Sequence, residues 1–367
     1  MQEIRFIGLD VHKESISIAV AEGDGSSPET VATIPNDLAV VLKRLRALSR
    51  GRPVRCCYEA GPTGFGLCRA LRAAGIECMV VAPSLVPRQT SDRIKTDRRD
   101  AAKLARFLRS GDLTEVQIPD VETEAMRDLE RARDDAKNAE RAARHQLIKF
   151  LLRHDRKYSG KTAWTGMHLA WIRGQRFEHE AQNRVVVDYL HAVEQATARV
   201  EQLTKDIAEL VEHWSLKPMV KALQGLRGIQ LISAVVLAAE IGDFRRFQTA
   251  RAFMAYLGLV PTEHSSGERR QRGRITKSGN RHARRILVES AWSYRFRPAM
   301  SPQIRARNDG LPPDVRATAW KAQQRLSARY RKLVGRGKTK QQTVTALARE
   351  LAGFVWHIAR QQQPQAA

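Results

Sequence analysis

Cysteine is scarce in this chain: four residues in 367, Cys56, Cys57, Cys68 and Cys78, all within one apolar N-terminal region. No pair has the CxxC spacing of a zinc site, and Cys56 and Cys57 fall in a strand-like run. They read as small buried hydrophobes in a reducing cytoplasm. Acid is the second deficit. Lys plus Arg number 63 against 39 Asp plus Glu, a net charge of +24, which on a folded protein implies a polyanionic partner, by default nucleic acid. Apolar runs of membrane length are missing, and no signal peptide precedes the first strand. The basic excess is spread along the chain instead of gathered in one amphipathic anchor, which points away from a membrane surface. With 43% hydrophobic and 28% charged residues, the composition is globular and long enough for two or three domains.

The N-terminal pattern is strand, strand, strand, helix, strand, helix, strand. IRFIGLD and SISIAVAEG are separated by Val11, His12, Lys13 and Glu14, as in a hairpin, and a third strand is predicted over 30–34. Asn36 is expected to cap a helix with Leu38, Val41, Leu42, Leu45 and Leu48 on one face. A strand follows over 53–58, then a helix from Pro62 through Leu67 and Leu71 to Gly75, then a buried strand over 76–82. That order predicts an RNase H-like mixed sheet with helices on both faces, assigned to residues 1–118.

Residues 120–215 are rich in Ala, Glu, Arg and Gln. Val193, Ala196, Val200, Leu203, Ile207, Leu210 and Trp214 form an a/d seam, so a helical hairpin or coiled coil is expected over 119–216. Gly160, Trp164, Gly166 and Trp171 fall at its tip, where the tryptophans serve tip packing or an interface. Residues 217–367 read as a mainly helical domain, making the fold class α/β plus α. Gly225 and Gly228 separate two helical stretches, either a helix-hairpin-helix presenting N–H groups to a phosphate or an ordinary tight turn. Val344, Leu347, Leu351, Val355 and Ile358 form an apolar stripe near the C-terminus.

Two groups of residues carry chemistry. Asp10 ends the first strand, Glu59 ends the fourth, and Asp97 and Asp100 open a helix three positions apart, on one face. Strand order brings these acids together, and such a cluster in an RNase H-like sheet holds one or two Mg²⁺ that bind a scissile phosphate. Singly, each has a plainer reading: Asp97 as a helix cap with Asp100 in the first turn, Asp10 and Glu59 as turn residues. The second group is HSSGERRQRGRITKSGNRHARRIL, residues 264–287. Here the Ser266-Gly267 turn precedes Arg269, Arg270, Arg272, Arg274, Lys277, Arg281, Arg284 and Arg285. A serine hydroxyl among fixed cations suits attack on a phosphodiester whose charge the arginines stabilise. A basic loop and helix that only hold nucleic acid would look similar.

GLDVHKESISIAV, YEAGPTG and KTDRRDAAKLA resemble the N-terminal DEDD domain of the transposases of insertion sequence family 110. LRGIQLISAVVLAAEIGDFRRF and AYLGLVPTEHSSGERRQRGRITKSGNRHARRIL resemble that family's C-terminal transposase domain. The resemblance implies a RuvC-like nuclease fold at the N-terminus, Mg²⁺ held by Asp10, Glu59, Asp97 and Asp100, and Ser266 as the nucleophile that becomes joined to DNA. It also implies site-specific recombination of double-stranded donor and target DNA, directed by a structured non-coding RNA of the element. The implied assembly is a homodimer, paired by the coiled coil, that forms a tetramer at the bacterial nucleoid. Two other functions stay open: a Mg²⁺-dependent structure-specific endonuclease using the acids and water, and a non-catalytic nucleic-acid scaffold.

Overall fold

The computed structural model describes residues 4–87, 96–266 and 269–363. The chain divides into two compact units, 1–118 and 119–367.

The first unit is built on a five-stranded sheet. Its strands are β1 (Arg5–Val11), β2 (Ser15–Ala21), β3 (Glu29–Pro35), β4 (Val54–Glu59) and β5 (Glu77–Val81), and its helices α1 (Leu38–Ser49), α2 (Gly66–Ala73) and α3 (Asp97–Ser110). The spatial order is β3-β2-β1-β4-β5, with β1 and β3 antiparallel to β2 and with β1, β4 and β5 mutually parallel. Strand period two sorts the side chains onto two faces. Ile7, Leu9, Ile16, Ile18, Cys56 and Tyr58 pack against α1 and α2. Phe6, Ala19, Ala21 and Cys57 face α3. All four cysteines are buried free thiols, and Cys56, Cys57 and Cys68 donate to backbone carbonyls.

The cap of α1 is Asp37, whose carboxylate accepts from the Val40 N–H at 3.0 Å. Asn36 instead pins the β1–β2 turn, its Nδ2 donating to the His12 carbonyl at 2.8 Å. An amide next to an aspartate satisfies either pattern in sequence, and the tertiary bond to His12 decides between them.

Gly8 sets the distance between sheet and helix. A Cβ there would lie 2.0 Å from the Ala101 carbonyl oxygen and 2.5 Å from the Ala105 nitrogen. Only glycine lets the α3 backbone rest this close to β1. Thr96 caps α3 through the Arg99 N–H, leaving Asp97 and Asp100 in the first turn.

The second unit begins with two long helices, α4 (Val121–Arg153) and α6 (Glu180–Val211), joined through α5 (Gly166–Arg173). They run antiparallel, since Arg133 bonds Thr204 and Glu140 bonds Thr197. Val193, Val200 and Ile207 are buried as the seam predicts, whereas Leu210 is 49% exposed and Val211 takes the inward place. A straight helix drifts about 20° per heptad against a 3.5-residue repeat, so three heptads turn the seam by about 60°, more than half the step from Leu210 to Val211. The rest of the unit comprises α7 (Lys217–Leu223), α8 (Leu231–Ile241), α9 (Ala250–Tyr256), the ribbon β6 (Pro261–Ser266) and β7 (Arg269–Ile275), α10 (Arg281–Ala291), α11 (Pro302–Asn308), α12 (Pro313–Gly335) and α13 (Lys340–Gln362), with α8 packed on both long helices. The predicted stripe of α13 is fully buried, and the helix packs against α7, α9, α10 and α12. Gly228, in the α7–α8 turn, lies against α10; a Cβ there would meet the Ser290 carbonyl oxygen at 2.3 Å.

Candidate active site

Asp10 and Glu59 share the α3 face of the sheet because each follows a paired residue, Leu9 and Tyr58, on neighbouring parallel strands. The close seating of α3 on Gly8 carries its first turn over the same strand ends. Asp10 Oδ2 lies 3.2 Å from His12 Nε2, and Asp97 Oδ1 lies 3.5 Å from the same nitrogen. One ligand atom from each of Asp10, His12 and Asp97 falls within 4.8 Å of the others. Burial raises the Asp10 carboxyl above its ordinary value; His12 opposes that shift, and the Asp97 and Asp100 charges add to it. Two carboxylates, Asp10 and Asp97, thus gather at one imidazole, with the Asp100 charge acting on Asp10; Glu59 and Asp100 are not among the grouped ligand atoms. This is a site short of positive charge, and its hard oxygen donors suit Mg²⁺ or Mn²⁺, whose ligands sit about 2.1 Å from the ion and so up to about 4.2 Å apart. Sequence reasoning places His12 only in the turn between the first two strands. The turn that folds it back onto Asp10, held by Asn36, cannot be read from local pattern.

The serine segment is a β-ribbon where a basic loop was expected. Ser266 is the last residue of β6 and pairs with Arg269, the first of β7. The Gly267 turn, and the side chains of Ser266, Arg269, Arg270 and Arg272, lie outside the described residues. The base of the ribbon is firmly held. Thr276 N donates to the Val260 carbonyl and Lys277 N to the Gly258 carbonyl. Gly279 has φ 68°, and a Cβ there would fall 1.8 Å from the Tyr256 oxygen, so only glycine fits. The Arg284 guanidinium clasps the Leu257 and Ser278 carbonyls at 2.8 and 2.9 Å.

The predicted phosphate-binding cations separate into two kinds. Arg274, Lys277 and Arg281 are exposed. Arg284 is committed to the ribbon base, and Arg285 bonds Asp134 at 2.7 Å and the His282 ring. His282 belongs to a second acidic group, with Glu130 and Glu240, that sequence reasoning missed because its members are up to 152 positions apart. Glu240 receives Arg131 Nε at 2.8 Å and Asn280 Nδ2 at 2.6 Å. Burial favours its neutral form, but those hydrogen bonds hold its carboxyl below the ordinary range. Burial, reinforced by the Glu240 charge, pushes Glu130 up to about 8. Asn280 also caps α10 through the Ala283 N–H. The protein's own cations close this network, which ties α4, α8 and α10 beneath the ribbon.

Compared with known proteins, residues 7–154 match the DEDD-type IS110 transposase family model, and residues 220–307 match that of the Transposase IS116/IS110/IS902 family. The chain is 46% identical over 358 residues to "Putative transposase y4qE" of Sinorhizobium fredii, covering 97% of this chain and 88% of that protein. It is 34% identical over 332 residues to the transposase for insertion sequence element IS1533 of Leptospira borgpetersenii, covering 89% and 96% respectively. The transposase for insertion sequence element IS1111A of Coxiella burnetii is 24% identical over 303 residues, covering 79% of this chain and 78% of that protein.

Proposed function

Because this chain belongs to the IS110/IS116 family of DNA transposases, we propose that it cuts and rejoins DNA through a covalent phosphoserine at Ser266. In this reading the first unit is an RNase H-like, RuvC-like domain, and Asp10, Glu59, Asp97 and Asp100, with His12 alongside, hold Mg²⁺. The observation that carries it is the convergence of Asp10, His12 and Asp97 from a strand, a turn and a helix onto one spot short of positive charge. Bound there, Mg²⁺ supplies the charge that engages the non-bridging oxygens of the scissile phosphate.

The residues of the chain do the rest. Ser266 Oγ bonds to phosphorus as the bond to one strand end breaks, and the serine proton passes to the departing oxygen. One phosphoester replaces another, so the strand can be exchanged and resealed without ATP. Arg269, Arg270 and Arg272 lie on the ribbon strand facing Ser266, and with Arg274, Lys277 and Arg281 they supply donors for the phosphate charge. The net charge of +24 fits DNA and a guide RNA together. The family resemblance supports a structured RNA of the element as the reader of donor and target double-stranded DNA, with the protein recognising backbone and shape. It supports equally a homodimer assembling to a tetramer, in the bacterial cytoplasm at the nucleoid. No helix among the described residues is long and apolar enough to cross a membrane.

The test is a denaturing gel of protein incubated with labelled donor DNA and the element's RNA. The parent chain should yield a protein–DNA adduct, and Ser266→Ala should bind nucleic acid normally but yield none. Asp10→Ala should abolish both adduct and cleavage. Cleaved ends without attached protein, unaffected by Ser266→Ala, would instead identify a nuclease that uses water.

A further inference from the structure

At the turn-back end of the α4–α6 hairpin lies a cavity of about 680 Å³ that the strand chemistry does not use. One wall is α4 between Lys137 and Leu152, and the other is the segment 156–171 folded over it. Two features coincide there. The first is charge: Lys137, Arg141, Arg144, Arg156, Lys157 and Lys161 line the cavity against a single carboxylate, Glu140. Glu140 is buried, and Lys137, Arg144 and Thr197 already occupy its oxygens. Asp155, outside the lining, pairs with Lys157, and the remaining cations still leave the cavity's charge balance positive. The second feature is a cluster of rings. His168 and Trp171 lie parallel, with centroids 5.7 Å apart and planes 11° apart, and Tyr158 lies 4.6 Å from His168 and 5.4 Å from Trp171. Trp164 meets His168 edge-on, and the Arg144 guanidinium covers its ring at 4.8 Å.

The segment is held in that shape against local preference. Trp164 adopts φ 63°, a left-handed conformation unfavourable for a bulky residue, and its N–H donates to His168 Nδ1 at 2.9 Å. Tip packing explains the apolar contacts of Trp164 and Trp171 with Leu147, Leu151 and Ile172. It does not explain an open cavity walled by cations.

Rings interleaved with cations, around a space of nucleotide dimensions, recognise one chemistry. Aromatic faces stack with bases and cations take the phosphates, but a duplex hides its base faces. An acidic peptide would use the cations and leave the rings idle. We propose that this cavity seats an unpaired nucleotide of single-stranded nucleic acid, with its base against Tyr158 and Trp164 and its phosphates on Arg141 and Lys161. The site is independent of Ser266 and of the acidic cluster.

The experiment uses the full-length chain in EDTA, so that cleavage does not intervene. Binding of a fluorescein-labelled 12-nucleotide single-stranded RNA, the matching DNA strand and the blunt duplex is followed by anisotropy. Tyr158→Ala should weaken binding of a single strand by about tenfold, the scale of one lost base stack, and change duplex binding less than about twofold. Arg141→Ala with Lys161→Ala, at exposed positions whose loss leaves the fold intact, should also weaken single-strand binding preferentially. A 4-thiouridine in the RNA, or 4-thiothymidine in the DNA, should crosslink to peptides within 156–171. Preference for one strand type names RNA or DNA as the source. Unchanged affinity in both variants, equal loss for strand and duplex, or crosslinks confined to other segments would overturn the proposal.

Discussion

Gly8→Ala is a change of one methyl group with consequences at two levels. The added carbon would sit 2.0 Å from the Ala101 oxygen and 2.5 Å from the Ala105 nitrogen. A carbon–oxygen contact settles near about 3.4 Å, so α3 must retreat from the sheet by roughly 1 Å or more. Both neighbours are helix backbone, and no side chain can rotate to relieve the clash. Overpacking of this kind costs about 1–3 kcal/mol, and the rigid contact places it at the upper end. In a unit of this size that lowers the melting temperature by on the order of 10 °C. The retreat also carries Asp97 and Asp100 away from Asp10. In the proposed mechanism these acids hold the metal at the reacting phosphate, where misplacement by about 1 Å costs on the order of 100-fold in rate. Thermal melting reads the first effect, and transposition frequency of a marked element reads the second. Gly66→Ala is the control, since a Cβ there meets nothing within 4 Å and the position opens α2. If Gly8→Ala melts and transposes like the parent, α3 does not depend on that glycine to hold its acids in place.

The buried groups of the second unit yield further expectations. Glu130 stands at about 8 against an ordinary 4.5, so the folded chain keeps a proton that the unfolded chain releases. Its contribution to stability is complete below pH 4.5 and is lost as pH rises towards 8, by up to about 1.4 kcal/mol per pH unit. Denaturation midpoints from about pH 5 to about pH 8 should show a shallower decline for Glu130→Gln; identical slopes would count against the assignment. The Tyr294 hydroxyl is fully buried without a hydrogen-bond partner among the described residues, so Tyr294→Phe should hold or raise the melting temperature, and a drop of several degrees would reveal a hidden partner. Arg284→Ala frees the Leu257 and Ser278 carbonyls and should accelerate amide exchange over 257–280, with residues 38–49 unchanged as an internal reference.

The shared sheet face of Asp10 and Glu59 was legible because strand order and period two act locally: alternate residues share a face, and parallel neighbours end together. The long helices and the buried stripe of α13 were legible for the same reason. What local pattern could not carry was commitment over distance. Arg284 and Arg285 look like Arg281 in the sequence, yet two are bonded inside the fold and one is exposed. The β6–β7 ribbon was hidden because arginine-rich strands lack the β-branched composition that marks a strand, and its pairing is stabilised from the Gly258 and Gly279 base. Glu130, Glu240 and His282 meet only once α4, α8 and α10 have packed.

The burial of α13 bears on the order in which the chain's parts can be assembled. The helices on either side of the serine ribbon, α9 and α10, both rest on it. During synthesis the acid-bearing unit can fold while residues 340–362 are still inside the ribosome, but the ribbon then has no floor. A polypeptide made only that far therefore carries a folded first unit and an unsupported ribbon, and in the proposed mechanism Ser266 is seated only once α13 has emerged and packed.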